Sequence, residues 1–336
     1  MLALFLLATY RAYEDDSRGW AVVAGVAIGS SIYAYSTFRL LAPLQALAVL
    51  LCFPQRRHWR MHGFFAAGVL IAAVPYFVYT LEHFENLARR FRGLTYLTRN
   101  DITAWDKVTI FASHYAGYFD PEFLVTHGDP NRRHHTGFGG ELLLPTVAML
   151  VLGMLTLITS GEIKKSGFAQ LLMAGLLIAP VAAALTTKPH HSLRAFSMVI
   201  FAVLLSAYGV RYLVRWRLAA AMVVLTAVNA GLYAFHYFHD YPPISAIAFE
   251  NHGFREALLR ARSLATRRIV ISTAGNQPYI YIQMLFFDSA LPGWPPRIPV
   301  VLGGLTGLQE GDVLIFPAPA KGAAEYPRGL ILAQHG

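Results

Sequence analysis

Residues 142–160 read LLLPTVAMLVLGMLTLITS, an apolar run without a charged side chain. As a helix, a run of this length crosses the hydrocarbon core of a bilayer, which is about 30 Å thick. Other runs of similar character occur along the chain. Together they predict membrane-spanning helices at 20–36, 38–53, 64–81, 142–160, 168–186, 195–214 and 218–237.

The overall composition supports a membrane protein. The chain has 336 residues, of which 55% are hydrophobic and only 14% are charged, whereas soluble domains usually carry about 25% charged residues. The net charge of +9 does not predict nucleic-acid binding, because the basic residues flank apolar runs. The single cysteine, Cys52, excludes an intramolecular disulfide and a multi-cysteine metal site.

The basic residues predict an orientation. Three clusters alternate with the other connections and so share one face, which the positive-inside rule makes cytoplasmic. They are Arg56, Arg57 and Arg60; Lys164 and Lys165; and Arg211, Arg215 and Arg217. The opposite face also carries positive charge, which the positive-inside rule does not explain. It lies on Lys188, Arg194 and the segment 83–140. No Asn-x-Ser/Thr sequon occurs, which favours a bacterial inner-membrane protein.

The fold class expected is mainly α, polytopic, with about seven transmembrane helices and a small extracytoplasmic α/β domain at the C-terminal end. Residues 1–19 form a partial or interfacial N-terminal helix: either an anchor or the end of a helix that begins before Met1. Residues 20–237 form the membrane domain, with a long outer loop over 83–140, and 238–336 form the outer domain.

Within the outer domain, periodicity predicts a helix over 254–265 and strands over 268–273 and 312–317, while 279–287 fits a helix or a strand. In the outer loop, Phe84, Leu87, Ala88 and Phe91 recur at helical spacing beside arginines. That pattern is typical of a helix in the membrane interface and equally of an amphipathic helix packed on protein.

A basic cluster immediately precedes the run at 142–160. Gly128-Asp-Pro-Asn131 is a turn by composition, and it is followed by Arg132, Arg133, His134 and His135. Guanidinium and imidazole groups donate hydrogen bonds to phosphate oxygens, so this cluster suits a lipid phosphate. Alternatively, the arginines contact ordinary phospholipid or pair with Asp120, Glu122 and Asp129.

Two more outer connections carry cations. Arg194 follows Lys188-Pro-His-His-Ser-Leu at the start of a membrane helix, where an anion would be favoured; the alternative is a capped turn with a snorkelling arginine. Arg39 ends Tyr33-Ala-Tyr-Ser-Thr-Phe, whose aromatic residues also suit a simple interfacial anchor. The histidines expected on the outer face show no His-x-x-x-His pair, so neither a metal site nor a cofactor is predicted; they are His127, His134, His135, His190 and His191.

The stretch Phe119-Asp-Pro-Glu-Phe-Leu followed by His127-Gly-Asp-Pro-Asn-Arg-Arg-His-His135 resembles the outer-loop signature of one family. These are bacterial membrane glycosyltransferases related to the dolichyl-phosphate-mannose–protein mannosyltransferases. The Tyr-x-Tyr-Ser-Thr-x-Arg39 stretch, the Pro189-His-His-Ser-Leu-Arg-Ala195 stretch and the late Tyr279-Ile-Tyr-Ile…Phe287 stretch also resemble that family. The resemblance runs from about residue 1 to residue 290.

The resemblance implies a GT-C fold and transfer of a sugar from a polyprenyl-phosphate donor to a protein, lipid or glycan on the outer face. It implies that Arg132, Arg133, His134 and Arg194, with Arg39, hold the lipid phosphate. In that family the essential acid lies in the first outer loop, but residues 35–39 contain none. We therefore expect that the N-terminal catalytic part is missing, and Asp120, Glu122 and Asp129 are the remaining candidate acids.

Two other functions stay open at this stage. A non-catalytic membrane component that binds lipid-phosphate sugars would keep the cations and need no acid. A transporter would place ionisable residues in the middle of its spans, and the seven runs contain almost none.

Overall fold

The computed structural model describes residues 1–215, 218–246, 254–272, 286, 300–303 and 308–315. The chain divides into two compact units, Met1–Tyr241 and Pro242–Gly336. The predicted element at 279–287 lies outside the described residues except for Phe286.

The first unit is built from helices, and a helix forms at each of the seven predicted apolar runs. In chain order the helices are α1 (Leu2–Glu14), α2 (Arg18–Ala34), α3 (Phe38–Cys52), a 3-10 turn (Arg56–His58), α4 (Trp59–Leu94), α5 (Ala104–Gly117), a π-helical turn (Glu122–Thr126), α6 (Leu144–Thr159), α7 (Glu162–Lys165), α8 (Gly167–Ile178), α9 (Val181–Ala184), α10 (Ser192–Ala195), α11 (Ser197–Arg215), α12 (Ala219–His239) and α13 (Tyr241–Ala246). The last of these continues into the second unit.

Four helical stretches in the described part of the chain are long and apolar enough to cross a membrane. They are Arg56–Glu85, Gly167–Ala184, Ser197–Val214 and Ala219–His239. Helices α3 and α6 are also apolar but shorter. The chain therefore has the character of a mainly helical membrane protein.

The segment 83–140, which the sequence presented as a loop, contains helices of its own. Helix α4 runs through Pro75 and continues to Leu94, with a kink at His83, whose φ and ψ are −127° and 27°. The helix predicted at 82–92 is thus confirmed as the end of a longer helix. Its location in the membrane interface remains a prediction.

At the N-terminus, α1 packs against α2 and buries Phe5 and Leu6 in the main core. The ring of Phe5 lies 6.5 Å from that of Phe65 in α4. Residues 2–14 are therefore an integral part of the helical packing.

Two helix pairs approach closely through glycine. A Cβ atom at Gly25 of α2 would lie 2.1 Å from the Phe65 carbonyl oxygen, and one at Gly68 of α4 would lie 2.4 Å from the Val22 carbonyl oxygen. The same occurs between α6 and α11, where a Cβ at Gly153 would lie 2.1 Å from the Leu205 carbonyl oxygen. Small residues of this kind let helix backbones pack in direct contact within a membrane.

Replacing Gly153 by alanine is expected to destabilise the first unit by about 1–3 kcal/mol, because the added methyl must push α6 and α11 apart. The matched control is Gly231→Ala in α12, where nothing lies within 4 Å of an added Cβ. There the higher helix propensity of alanine should stabilise slightly, by up to about 1 kcal/mol. Thermal unfolding in detergent measures both, and a Gly153→Ala protein as stable as Gly231→Ala would contradict the close packing.

The second unit contains α14 (Phe254–Leu264) and three strands, β1 (Arg268–Ser272), β2 (Val300–Gly303) and β3 (Asp312–Ile315). The strands are parallel in the order β2-β1-β3, with Ile269 opposite Val300 on one side and Val313 on the other. One face of α14 packs on the sheet and buries Leu258. The predicted helix over 254–265 is confirmed to within one residue, and the two predicted strands are confirmed over 268–272 and 312–315; their remaining residues lie outside the described part of the chain.

Candidate functional site

The turn that precedes α6 is fixed by its own side chains. Gly128 has φ +66° and lies against the ring of His135, which occupies the space of a Cβ. Asp129 Oδ1 accepts a hydrogen bond from the Asn131 backbone N–H at 2.8 Å. Asn131 Oδ1 in turn accepts from the Arg133 N–H at 3.0 Å. The backbone turn predicted at Gly128–Asn131 thus lies further along, over residues 132–134, where the Asn131 carbonyl accepts the His134 N–H; the stretch before it is shaped by the carboxylate of Asp129.

The carboxylate of Asp129 points inward and joins two distant segments. The residue is only 4% exposed. Its Oδ2 lies 3.0 Å from His134 Nδ1 and accepts a second hydrogen bond, also 3.0 Å long, from the backbone N–H of Ser192. Ser192 begins α10, so Asp129 connects the segment between α5 and α6 to the start of the α10–α11 region.

Glu141 completes this connection from the other end of the segment. Its Oε1 accepts a hydrogen bond from the Asp129 N–H at 2.9 Å and another from Ser192 Oγ at 2.5 Å. Within the described part of the chain no hydrogen bond reaches its Oε2. One oxygen of Glu141 is therefore structural, while the other remains available to a ligand.

His191 lies beside the same carboxylate. Its backbone N–H donates to the hydroxyl of the buried Tyr118 at 3.0 Å, and its ring stacks on His134 with the centroids 4.4 Å apart. Burial, together with the charges of Arg194 and His134, lowers the pKa of His191 to about 4, so the ring is neutral at pH 7. Burial also raises the pKa of the Tyr118 hydroxyl to about 12.

Arg194, three residues after His191, is held in place by hydrogen bonding. Its Nη1 donates to Thr186 Oγ1 at 2.7 Å, and the Thr186 carbonyl accepts from a ring nitrogen of His114 at 3.1 Å. Thr186 also pairs with Thr95 in an isolated β-bridge. The guanidinium is half-buried and close enough to His191 to lower its pKa.

The remaining residues predicted from the sequence lie elsewhere on the first unit. Arg132 and Arg133 are exposed, and the guanidinium of Arg132 packs on Gly137. Arg39 lies over the ring of Tyr76 in α4, 5.4 Å from its centroid.

The two other candidate acids do not take part in the Asp129 network in the described structure. Asp120 and Glu122 are exposed, and Asp120 Oδ1 accepts the Glu122 N–H. The structure thus gathers Asp129, His134 and Arg194 around one locus. Among the described residues, it leaves the side chains of Arg132, Arg39, Asp120 and Glu122 outside that network of hydrogen bonds.

An apolar cavity of about 370 Å³ opens beneath this locus, between α6, α8, α11 and the π-helical turn. Leu150, Met154, Leu176 and Met198 are typical of its walls. Glu141 and Ser192 are the two polar side chains among the described residues that line it. The cavity therefore suits a hydrocarbon chain whose polar end reaches Glu141.

A second cavity, of about 380 Å³, lies on the other side of Glu141. It is bounded by His134, the stretch 138–144 and residues Asn229 and Tyr233 of α12, and its lining is more polar. Because Glu141 lines both cavities, its carboxylate stands between an apolar compartment and a mixed one.

Sequence reasoning missed Glu141, Ser192 and Tyr118 as parts of the site. Glu141 gave one usable signal, since it is the carboxylate directly before the apolar run at 142–160. Ser192 and Tyr118 gave none, because their roles depend on contacts 63 and 73 residues apart in the chain.

Comparison with known proteins adds no relationship by which this site can be assigned. No protein-family model, no curated protein and no solved structure matches the chain.

Proposed function

We propose that the chain is a multi-pass protein of a bacterial inner membrane that binds a polyprenyl-phosphate sugar and transfers the sugar to an acceptor on the outer face. The observation that carries the proposal is the apolar cavity that ends at Glu141, beside a buried cluster of polar and cationic groups. A long hydrocarbon chain with one charged end is the kind of ligand that such a cavity fits.

The lipid tail occupies the cavity between α6, α8 and α11, where its walls are apolar. The phosphate lies at the cavity's polar end, where Ser192 lines the wall two residues before Arg194; His134 lines the adjoining cavity. A guanidinium group binds phosphate oxygens through paired hydrogen bonds. Arg194 is already oriented by Thr186, so little side-chain entropy is lost on binding.

Glu141 activates the acceptor. A carboxylate that removes a proton from an acceptor hydroxyl must reach both the acceptor and the sugar donor. Glu141 lines the apolar cavity and the more polar one. In this arrangement the donor enters through the first cavity and the acceptor through the second. Glu141 thus takes the role that sequence reasoning offered to Asp120, Glu122 and Asp129.

The membrane topology that we propose is the one predicted from the sequence. It has seven crossings, the three basic clusters in the cytoplasm and the domain 238–336 outside. Four helical stretches with sufficient length and hydropathy support it. The positive clusters supply the orientation.

Binding of polyprenyl phosphate to the purified chain in nanodiscs tests the proposal. Val151→Trp, which places an indole at the cavity wall, is expected to weaken binding at least tenfold. Val223→Trp is the matched control, because Val223 is 64% exposed on α12 and does not line the cavity. Equal binding by the two variants would contradict a lipid site in the cavity.

A second experiment compares the binding of polyprenyl phosphate with that of polyprenol. The difference in affinity measures the contribution of the phosphate, apart from that of the lipid tail. Arg194→Ala is expected to weaken binding of the phosphorylated lipid alone, by about tenfold, because a charged hydrogen bond contributes about 1.5–3 kcal/mol. Arg11→Ala, an exposed arginine paired with Asp15, is the control. Loss of affinity for both lipids in Arg194→Ala would point to a structural role for Arg194 only.

A non-catalytic lipid-phosphate-binding component is the second candidate. The observation that favours it is the full engagement of Asp129, whose two oxygens accept three hydrogen bonds and leave it unsuited to act as a base. Lipid binding without sugar transfer to any acceptor would select this function.

A further inference from the structure

A cluster of metal-ligating side chains lies within the site. Asp129, His134 and His191 each offer one ligand atom, and these atoms all lie within 4.8 Å of one another. We propose that these three residues form a binding site for a borderline divalent transition metal such as Zn²⁺. The site does not depend on the lipid cavity, and it would exist whether or not the chain transfers a sugar.

The donor set decides the class of metal. Two imidazoles and one carboxylate match the ligands of zinc sites that keep an open coordination position, and of some iron sites. Ca²⁺ and Mg²⁺ prefer oxygen ligands throughout.

The separations also fit. A tetrahedral Zn²⁺ holds its nitrogen and oxygen ligands at about 2.0–2.2 Å, which puts neighbouring ligand atoms about 3.4 Å apart. His134 Nδ1 and Asp129 Oδ2 are 3.0 Å apart, so a small rotation lets an ion replace the proton that they share, with release of that proton to solvent.

The second observation concerns His191. In the described part of the chain its buried Nδ1 has no hydrogen-bond partner. Buried polar atoms are almost always paired, and an exception calls for an explanation such as an ion. The ring of His191 stacks on that of His134, and one of its nitrogens lies within 4.8 Å of the ligand atoms of Asp129 and His134.

An outer layer of hydrogen bonds orients the three ligands. The Ser192 N–H fixes Asp129 Oδ2, and the hydroxyl of Tyr118 holds the backbone of His191. The hydroxyl of Ser192 in turn donates a hydrogen bond to the carboxylate of Glu141. Outer hydrogen bonds of this kind position metal ligands and typically change affinity by about 10–100-fold. Among the described residues, the carboxylates of Asp129 and Glu141 supply negative charge beside the ligands, and Arg194 supplies positive charge near His191.

The experiment uses the full-length chain, purified, stripped with a chelator and titrated with Zn²⁺ and, for spectroscopy, with Co²⁺. The expected result is one equivalent of saturable binding and the visible absorption of low-symmetry four- or five-coordinate Co²⁺. His191→Ala and Asp129→Asn should each weaken binding by more than about tenfold. The controls His127→Ala and Asp101→Asn, both at exposed positions, should not.

His191→Cys keeps the test decisive if the alanine variant folds poorly. A thiolate in place of the imidazole should restore Zn²⁺ binding and add a Co²⁺–thiolate charge-transfer band, which a merely structural histidine would not produce. Wild-type protein that takes up no stoichiometric metal would overturn the site, as would binding that none of the ligand substitutions alters.

Discussion

Replacing Glu141 by glutamine is expected to lower the rate of sugar transfer by about 10²–10⁴-fold, the usual contribution of a general base. Glutamine has nearly the same shape, and its carbonyl oxygen can still accept the hydrogen bonds that Asp129 N–H and Ser192 Oγ donate to Glu141. The fold and lipid binding should therefore persist while transfer is lost. Single-turnover transfer from a polyprenyl-phosphate sugar measures the change.

The matched control is Glu162→Gln, which removes a carboxylate that pairs with Arg211 and lines neither cavity. It should transfer at the wild-type rate. If Glu141→Gln binds the lipid and transfers as fast as wild type, Glu141 is not the base. If it neither binds lipid nor folds, its role is structural.

The second large effect is on stability. Asp129→Ala is expected to reduce the free energy of unfolding of the first unit by about 3 kcal/mol or more. Three donors, on Asn131, His134 and Ser192, lose their acceptor at once. Hydrogen bonds to a charged group contribute about 1.5–3 kcal/mol each, and water refills part of the space.

Chemical denaturation in detergent, with chelator present to remove any bound metal, measures this loss. Asp101→Ala is the control, because Asp101 forms an exposed ion pair with Arg99, and such pairs contribute about 0.2–1 kcal/mol. A small effect at Asp129, similar to that at Asp101, would show that water replaces the carboxylate without penalty.

The helices could be predicted because they depend on local pattern. The runs at 142–160 and 195–214 are apolar over about 20 residues, a length typical of a membrane-spanning helix. Helices α6 and α11 form there. Likewise the short β-branched run at 268–273, RIVIST, predicted β1. The helical content of 83–94 was visible in its periodicity. Its continuity with α4 was not, because a kink at His83 leaves little trace in sequence.

The site was only partly predictable. The basic turn drew attention to Asp129 and His134 because Gly-Asp-Pro-Asn has an evident local geometry. The predicted arginines followed from charge alone, and charge does not say which side chains turn inward: Arg132 faces outward, whereas Arg194 is half-buried. Glu141 became part of the site through tertiary contact with Ser192, which no spacing rule encodes.

The hydrogen bonds of Asp129 also have a consequence for biogenesis. Its carboxylate finds two of its donors nearby in sequence, on Asn131 and His134, but the third, Ser192, is synthesised 63 residues later. Until Ser192 has been synthesised and α8 and α9 have packed so as to bring it beside Asp129, this carboxylate lacks one of its three donors and stays hydrated. Closure of the segment around Asp129 therefore depends on helices that are synthesised after it, and the hydration of this one carboxylate reports whether they have packed.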